Sequence, residues 1–211
     1  MLTTVAVGGF TSNAGKTTLV CELLRALPGW EAIKQTRGHY RSCGKDPAAC
    51  CVSPLLGDEP TLRSGRAETD EPGKDTGRYW AAGAANVHWL IATDGQIEVG
   101  IRQALARVRA PGVVIEGNSF QPHVALDFAV MVVPRVLARM KPTARRVVAR
   151  CDALYLSTDE TEDAADARAR FAAWRDGAPG GALLRGLPVY TRAELPALLA
   201  RVRALGARVA V

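Results

Sequence analysis

The chain is short of lysine, of aromatic residues and of long apolar runs, and each shortage removes a class of function. No apolar stretch approaches the roughly 20 residues that a bilayer-spanning helix needs, so no membrane partner is expected. The first residues, Met1-Leu-Thr-Thr-Val-Ala-Val-Gly-Gly9, lack a basic segment and reach glycine too early for an export signal. A cytoplasmic protein is expected. Aromatic residues make up 6% of the chain, and its basic residues are scattered rather than massed beside them. That pattern argues against nucleic acid as a partner.

Of 27 basic residues only 5 are lysine, at positions 16, 34, 45, 74 and 141. Where a bare positive charge suffices, this chain uses arginine. Lysine is a compact point charge on a slim stem, so those five positions mark themselves for attention. What is present is otherwise ordinary: 211 residues, 48% hydrophobic and 23% charged, with a net charge of +6. Such a chain buries a substantial core and is not disordered throughout.

Apolar, β-branched runs alternate with amphipathic stretches along most of the length. Strands are predicted at 4–8, 30–36, 87–93, 112–116, 128–133, 153–156 and 187–190. Helices are predicted at 19–27, 75–84, 96–109, 143–150, 161–175 and 195–205. This alternation predicts an α/β fold with a mostly parallel sheet flanked by helices. Residues 37–75 break the rhythm, being rich in Gly, Pro, Cys and charge, and read as a long loop insertion. With no internal repeat and no boundary, residues 1–211 read as one domain.

The first strand runs through Gly9-Phe-Thr-Ser-Asn-Ala-Gly-Lys-Thr-Thr18 into a helix. In such a loop the backbone N–H groups of Asn13, Ala14, Gly15, Lys16, Thr17 and Thr18 would form an anion cradle at a helix N-terminus. Lys16 would reach the β- and γ-phosphates of ATP or GTP, and the Thr17 hydroxyl would join the Mg²⁺ shell. This assigns a P-loop NTPase fold. The usual motif has four residues between its glycines; here five separate Gly9 from Gly15, and Phe10 stands where the first glycine is expected. No Asn-Lys-x-Asp guanine motif is visible, so ATP and GTP both remain candidates.

A parallel sheet collects functional groups at the carboxyl ends of its strands. Two strands end there in acid followed by glycine: Glu116-Gly117 and Asp94-Gly95. Glu116 and Asp94 are therefore candidates for Mg²⁺ alongside Thr17, and the same acids are ordinary turn residues. Lys34 ends the second strand and joins Lys16, Glu116 and Asp75 as the candidate catalytic set. Arg37, Lys74, Arg78 and Ser119 are candidates for holding a small anionic substrate. Asp75 has two readings, a carboxylate for metal or a substrate hydroxyl and an N-cap of the helix that follows.

The chain resembles P-loop nucleotide-binding proteins of the MobB type, associated with molybdopterin guanine dinucleotide synthesis. The likeness lies in Gly15-Lys-Thr-Thr18, in Lys34, in Ile115-Glu-Gly117 and above all in Asp70-Glu-Pro-Gly-Lys-Asp-Thr-Gly-Arg-Tyr-Trp-Ala-Ala-Gly-Ala84. It covers roughly residues 3–120. The MobB type typically follows its second strand with Lys-His-Thr-His, where this chain has Lys34-Gln-Thr-Arg-Gly-His39. The wider glycine spacing is instead similar to that of dethiobiotin synthetase. The first resemblance implies a slow GTPase or ATPase, a homodimer and a protein partner in cofactor assembly. The second implies an ATP-dependent kinase or ligase acting on a small acceptor.

Five cysteines in a cytoplasmic setting do not imply disulfides. Cys21 and Cys151 read as buried packing residues. His39, Cys43, Cys50 and Cys51 cluster in the long loop, where three thiolates and an imidazole would suit Zn²⁺ or an iron–sulfur cluster. Adjacent cysteines fit one ion poorly, which leaves simple thiols as the other reading. His88 reads as a satisfied core histidine, and His123 as a surface residue.

Overall fold

A computed structural model describes residues 2–38, 52, 55–137, 139–159 and 161–207. The strands are β1 (Thr3–Gly9), β2 (Glu31–Arg37), β3 (Thr61–Ser64), β4 (Val87–Ala92), β5 (Gly112–Glu116), β6 (Phe128–Val133), β7 (Ala153–Leu156) and β8 (Val189–Tyr190). They form one sheet in the order β3-β4-β2-β5-β1-β6-β7-β8. Every pairing is parallel except β3 against β4. β1, β5 and β6 are buried along their whole length, as expected of central strands covered on both faces.

The helices are α1 (Lys16–Ala26), α2 (Arg66–Thr69), α3 (Asp75–Ala81), α4 (Ile97–Arg107), α5 (Pro142–Val147), α6 (Ala164–Gly177) and α7 (Leu195–Ala207). Alternate strand residues point to opposite faces, so the sheet has two cores. Val5, Val7 and Val114 meet Leu19, Leu23 and Leu24 of α1, Tyr79 of α3 and Leu198 of α7. Ala6, Ile115 and Met131 meet Ile101 of α4, Ala144 of α5 and Phe171 of α6.

Two expectations need correction. The stretch 37–75 is not loop throughout: Thr61–Ser64 pairs antiparallel with β4, and Arg66–Thr69 forms a single helical turn. A four-residue edge strand, half-buried along its length, carries too little periodicity to stand out. The helix expected to reach residue 84 ends at Ala81, because the chain turns at Gly83 and the Ala84 N–H bonds back to the Tyr79 carbonyl at 3.1 Å.

Cys21 and Cys151 are buried as expected, and burial pushes the Cys151 thiol up to about 12. His88 is a satisfied core residue: Nε2 faces Glu31 Oε2 at 2.7 Å and Nδ1 faces Ser64 Oγ at 2.8 Å. Those contacts tie the edge strand β3 to β2 through β4. No helix of the described residues is long and apolar enough to cross a membrane.

Candidate functional site

The loop between β1 and α1 lies at the carboxyl edge of the sheet and is held from both sides. The Asn118 amide grips Gly9 twice: Gly9 N–H donates to Oδ1 and Nδ2 donates to the Gly9 carbonyl, each at 2.9 Å. Ser157, just past β7, donates its hydroxyl to the Ala14 carbonyl at 2.6 Å. Gly15 stands at φ 95°, and a Cβ there would lie 2.6 Å from Ser157 Oγ, so both backbone and space require glycine. The other left-handed residue of the loop is Asn13, at φ 57°.

The structure also accounts for the unusual spacing. Phe10 is fully buried, its N–H donates to the Val132 carbonyl at 3.0 Å, and its ring lies 5.4 Å from that of Trp174. The place of the motif's first glycine is thus taken by a core residue that anchors the loop to α6.

Beside this loop is an open cavity of about 630 Å³, lined by Asn13, Gly15, Lys16, Thr17, Thr18, Lys34, Arg37, Asp75, Arg78 and Glu116 among others. Ala14 lies buried beneath it. The Lys16 stem crosses the loop over Gly9, and its ammonium donates to the Thr11 carbonyl at 3.3 Å. Among the described residues it has no ion-pair partner within reach. Burial lowers its pKa, although Glu116 opposes that shift.

At the centre of the cavity wall is Glu116, at the end of β5, with its side chain 2% exposed. It accepts hydrogen bonds from the Thr17 hydroxyl at 2.9 Å, the Lys34 ammonium at 2.5 Å and the Tyr79 hydroxyl. Lys34 also pairs with Asp75 at 2.5 Å. Strands β2 and β5 are parallel neighbours with Lys34 opposite Glu116, so sheet register brings the two charges together. Asp75 is the first residue of α3; its predecessor Lys74 holds the cap position with no side-chain cap bond. Of the two readings of Asp75 the N-cap is not adopted: its carboxylate pairs with Lys34.

The remaining candidates are scattered. Arg78 donates to the Thr18 hydroxyl at 3.2 Å inside the cavity. Arg37 grips Asp94 through two hydrogen bonds of 2.6 and 2.5 Å. Asp94 and Ser119 line a separate small cavity with His123, so the structure does not bring Asp94 to Thr17 and Glu116. Lys74 lines a neighbouring cavity instead. His39, Cys43, Cys50 and Cys51 lie outside the described residues. Among the described residues no group of three or more His, Cys, Asp or Glu side chains is placed to hold a metal ion.

Two further residues meet the site, one marked in the sequence only as a rare lysine and the other not marked at all. Lys141 reaches the cavity from the β6–α5 connection, where its ammonium donates to Ser12 Oγ at 2.5 Å; the scarcity of lysine was its signal. Tyr79 is fully buried, and that burial, with Glu116 beside it, holds its phenol well above the ordinary 10.0. It carries no sequence signal, being one aromatic residue on an amphipathic helix.

The charge array sets a pH dependence. Burial disfavours the Lys34 charge, yet Glu116 and then Asp75 outweigh it and raise the pKa above 10.5. Burial likewise opposes the Asp75 charge, and Lys34, the Thr17 hydroxyl and Arg78 outweigh it, leaving its pKa below 3.8. Stability from the raised Lys34 is complete below its unfolded-state value and is lost as pH climbs through the folded one. Stability from the lowered Asp75 is present above its unfolded-state value and is lost as pH falls through the folded one. Wild type should therefore exceed Asp75→Asn in urea midpoint by a constant margin from about pH 5 to 9, shrinking below about pH 4.

Fold and site together define an α/β protein of the P-loop class: a buried parallel strand, a glycine-lysine-threonine loop at a helix N-terminus, and an acid on the neighbouring strand. No family model matches the chain, and no curated protein matches it. A structural likeness exists to the apo form of LpxK from Aquifex aeolicus in complex with ATP, at 18% identity and a TM-score of 0.47. It covers 76% of this chain and about half, 50%, of that one. At that level it carries no argument about the site.

Proposed function

We propose that the chain binds a nucleoside triphosphate with Mg²⁺ and cleaves the bond between its β- and γ-phosphates. The observation that carries this reading is Lys34, fixed at 2.5 Å from both Asp75 and Glu116 in the wall of the phosphate-loop cavity. The backbone from Asn13 to Thr18 would cradle the phosphates, with Lys16 and Lys141 supplying charge to their oxygens. The Thr17 hydroxyl and Glu116, hard oxygen donors 2.9 Å apart, fit Mg²⁺, which takes one or two protein oxygens and fills the rest with phosphate and water. Bound there, the metal would screen charge on the phosphate oxygens. Lys34 would stabilise charge developing on the transferred group, and Asp75 would orient the attacking nucleophile.

The phosphoryl group has two destinations. Transfer to a small acceptor, as in a kinase or ligase, is favoured by a second cavity of about 320 Å³ that shares Lys34, Thr36 and Asp75 with the first. Transfer to water, in a cytoplasmic dimer that supports cofactor assembly with a protein partner, is the MobB-like reading. Its support is the resemblance of the 72–84 segment, which carries Asp75.

The test is turnover of ATP and of GTP, each with and without Mg²⁺. One or both should be cleaved, with at least a hundredfold loss in EDTA; undetectable binding of both by calorimetry would sink the reading. Asp75→Asn should cost at least tenfold in turnover, about 1.4 kcal/mol, with helix content unchanged because Asp75 is not a cap. Unchanged kinetics would remove Asp75 from the site.

A further inference from the structure

The second cavity has a lining of its own. Thr36 accepts a hydrogen bond from Trp89 Nε1 at 2.9 Å, and the Arg63 guanidinium lies 5.7 Å from the Trp89 ring centroid. Among the described residues Arg63 makes no direct ion pair, and this half-buried cation lines the cavity together with Glu68, Glu71 and Asp75. Lys74 and Glu71 form a loose pair at 4.0 Å, with both side chains more than half exposed. The lining thus offers the cations Lys34, Arg63 and Lys74 and the carboxylates Glu68, Glu71 and Asp75, beside the aromatic and aliphatic surfaces of Trp89 and Leu55. At about 320 Å³ it lies at the lower end of ligand pockets, roughly 300–1,000 Å³.

Mixed charge at that size suits a small zwitterion. We propose that this cavity is the acceptor site for a hydroxyl-bearing, amino-acid-like molecule, with its carboxylate on Arg63 and Lys74, its ammonium on Glu71 and its hydroxyl beside Asp75. This rests on the phosphoryl-transfer reading above. In the step, the acceptor oxygen bonds to the γ-phosphorus as the bridging P–O bond breaks. Its electron pair leaves on the nucleoside diphosphate, and the hydroxyl proton passes to the Asp75 carboxylate. The cavity orients the acceptor on one side of Lys34 while the nucleotide occupies the other. Arg63, on the edge strand β3, then acts as a specificity residue well away from the phosphate loop in sequence.

The experiment incubates the full chain with Mg²⁺ and ATP or GTP, adding L-serine, L-homoserine or L-tyrosine as probes. Phosphorylated amino acid is measured by mass spectrometry and nucleoside diphosphate by a coupled assay. At least one probe should be phosphorylated, with its KM raised at least tenfold in Arg63→Gln and at least threefold in the exposed Lys74→Gln. The KM for nucleotide should move far less than the KM for the probe. Cleaved nucleotide with no phosphorylated probe overturns the acceptor site and leaves the cleavage reading standing. So does product whose KM is unchanged in both variants. No cleavage at all overturns the cleavage reading and the acceptor site with it.

Discussion

Replacing Lys16 by alanine should lower nucleotide affinity at least a hundredfold, about 2.7 kcal/mol, while thermal stability holds or rises. The two effects have one cause. In the free protein Lys16 is half-buried, its pKa is depressed by that burial, and a single carbonyl contact at 3.3 Å is its hydrogen bond. A charge held this way costs folding energy. It is worth that cost only when anionic oxygens arrive, because charge-assisted bonds in a partly dry site are strong. Calorimetry with ATP and GTP, beside a melting curve of the unliganded variant, checks both halves. Undiminished affinity would refute the phosphate-loop assignment. A large fall in melting temperature would show that Lys16 supports the fold itself.

Replacing Glu116 by alanine should do the opposite to stability. Glu116 accepts from Thr17, Lys34 and Tyr79 while almost wholly buried. Its loss leaves the Lys34 charge leaning on half-exposed Asp75 and the Tyr79 hydroxyl with no acceptor in a closed core. Removing one partner of a buried ion pair costs about 3–5 kcal/mol; since Asp75 remains, about 3 kcal/mol is expected. In a chain of this length that lowers the melting temperature by about 6–12 °C. Turnover should fall at least a hundredfold with it. Glu116→Gln separates the two effects: the amide oxygen still accepts hydrogen bonds, so most stability returns, while the charge that would serve Mg²⁺ and Lys34 is gone. A Glu116→Gln enzyme with wild-type turnover and Mg²⁺ dependence would exclude Glu116 from the chemistry.

Much of this site was legible in one dimension because its parts are local. The sequence Val5-Ala-Val-Gly-Gly9 followed by Gly15-Lys-Thr-Thr18 specifies strand, loop and helix within two dozen residues, and the backbone geometry of that unit follows from chain-local rules. The apolar run into Glu116 likewise announced a buried strand ending in acid. The alternation of strands and helices carried the fold class, since helices covering both faces make the strands parallel.

What tertiary structure decided was which distant residues meet, and the physical reason is register. Lys34 and Glu116 are 82 positions apart, and only the β2–β5 pairing sets them side by side. Asp94-Gly95 looks like Glu116-Gly117 in the sequence, yet Asp94 lies two residues past β4, on the far side of β2 from β5, where Arg37 takes its carboxylate. Phe10 broke the glycine pattern on paper; packing against Trp174 from α6 turned that departure into an anchor. Asp75 could cap or pair, and the position of α3 against β2 and β5 chose pairing. The sequence by itself determined a P-loop, its cradle and a parallel α/β sheet, because those depend on neighbours along the chain. Three-dimensional packing alone selected Glu116 over Asp94, recruited Lys141 and Tyr79, and opened a second cavity against Lys34, because those depend on neighbours across the sheet.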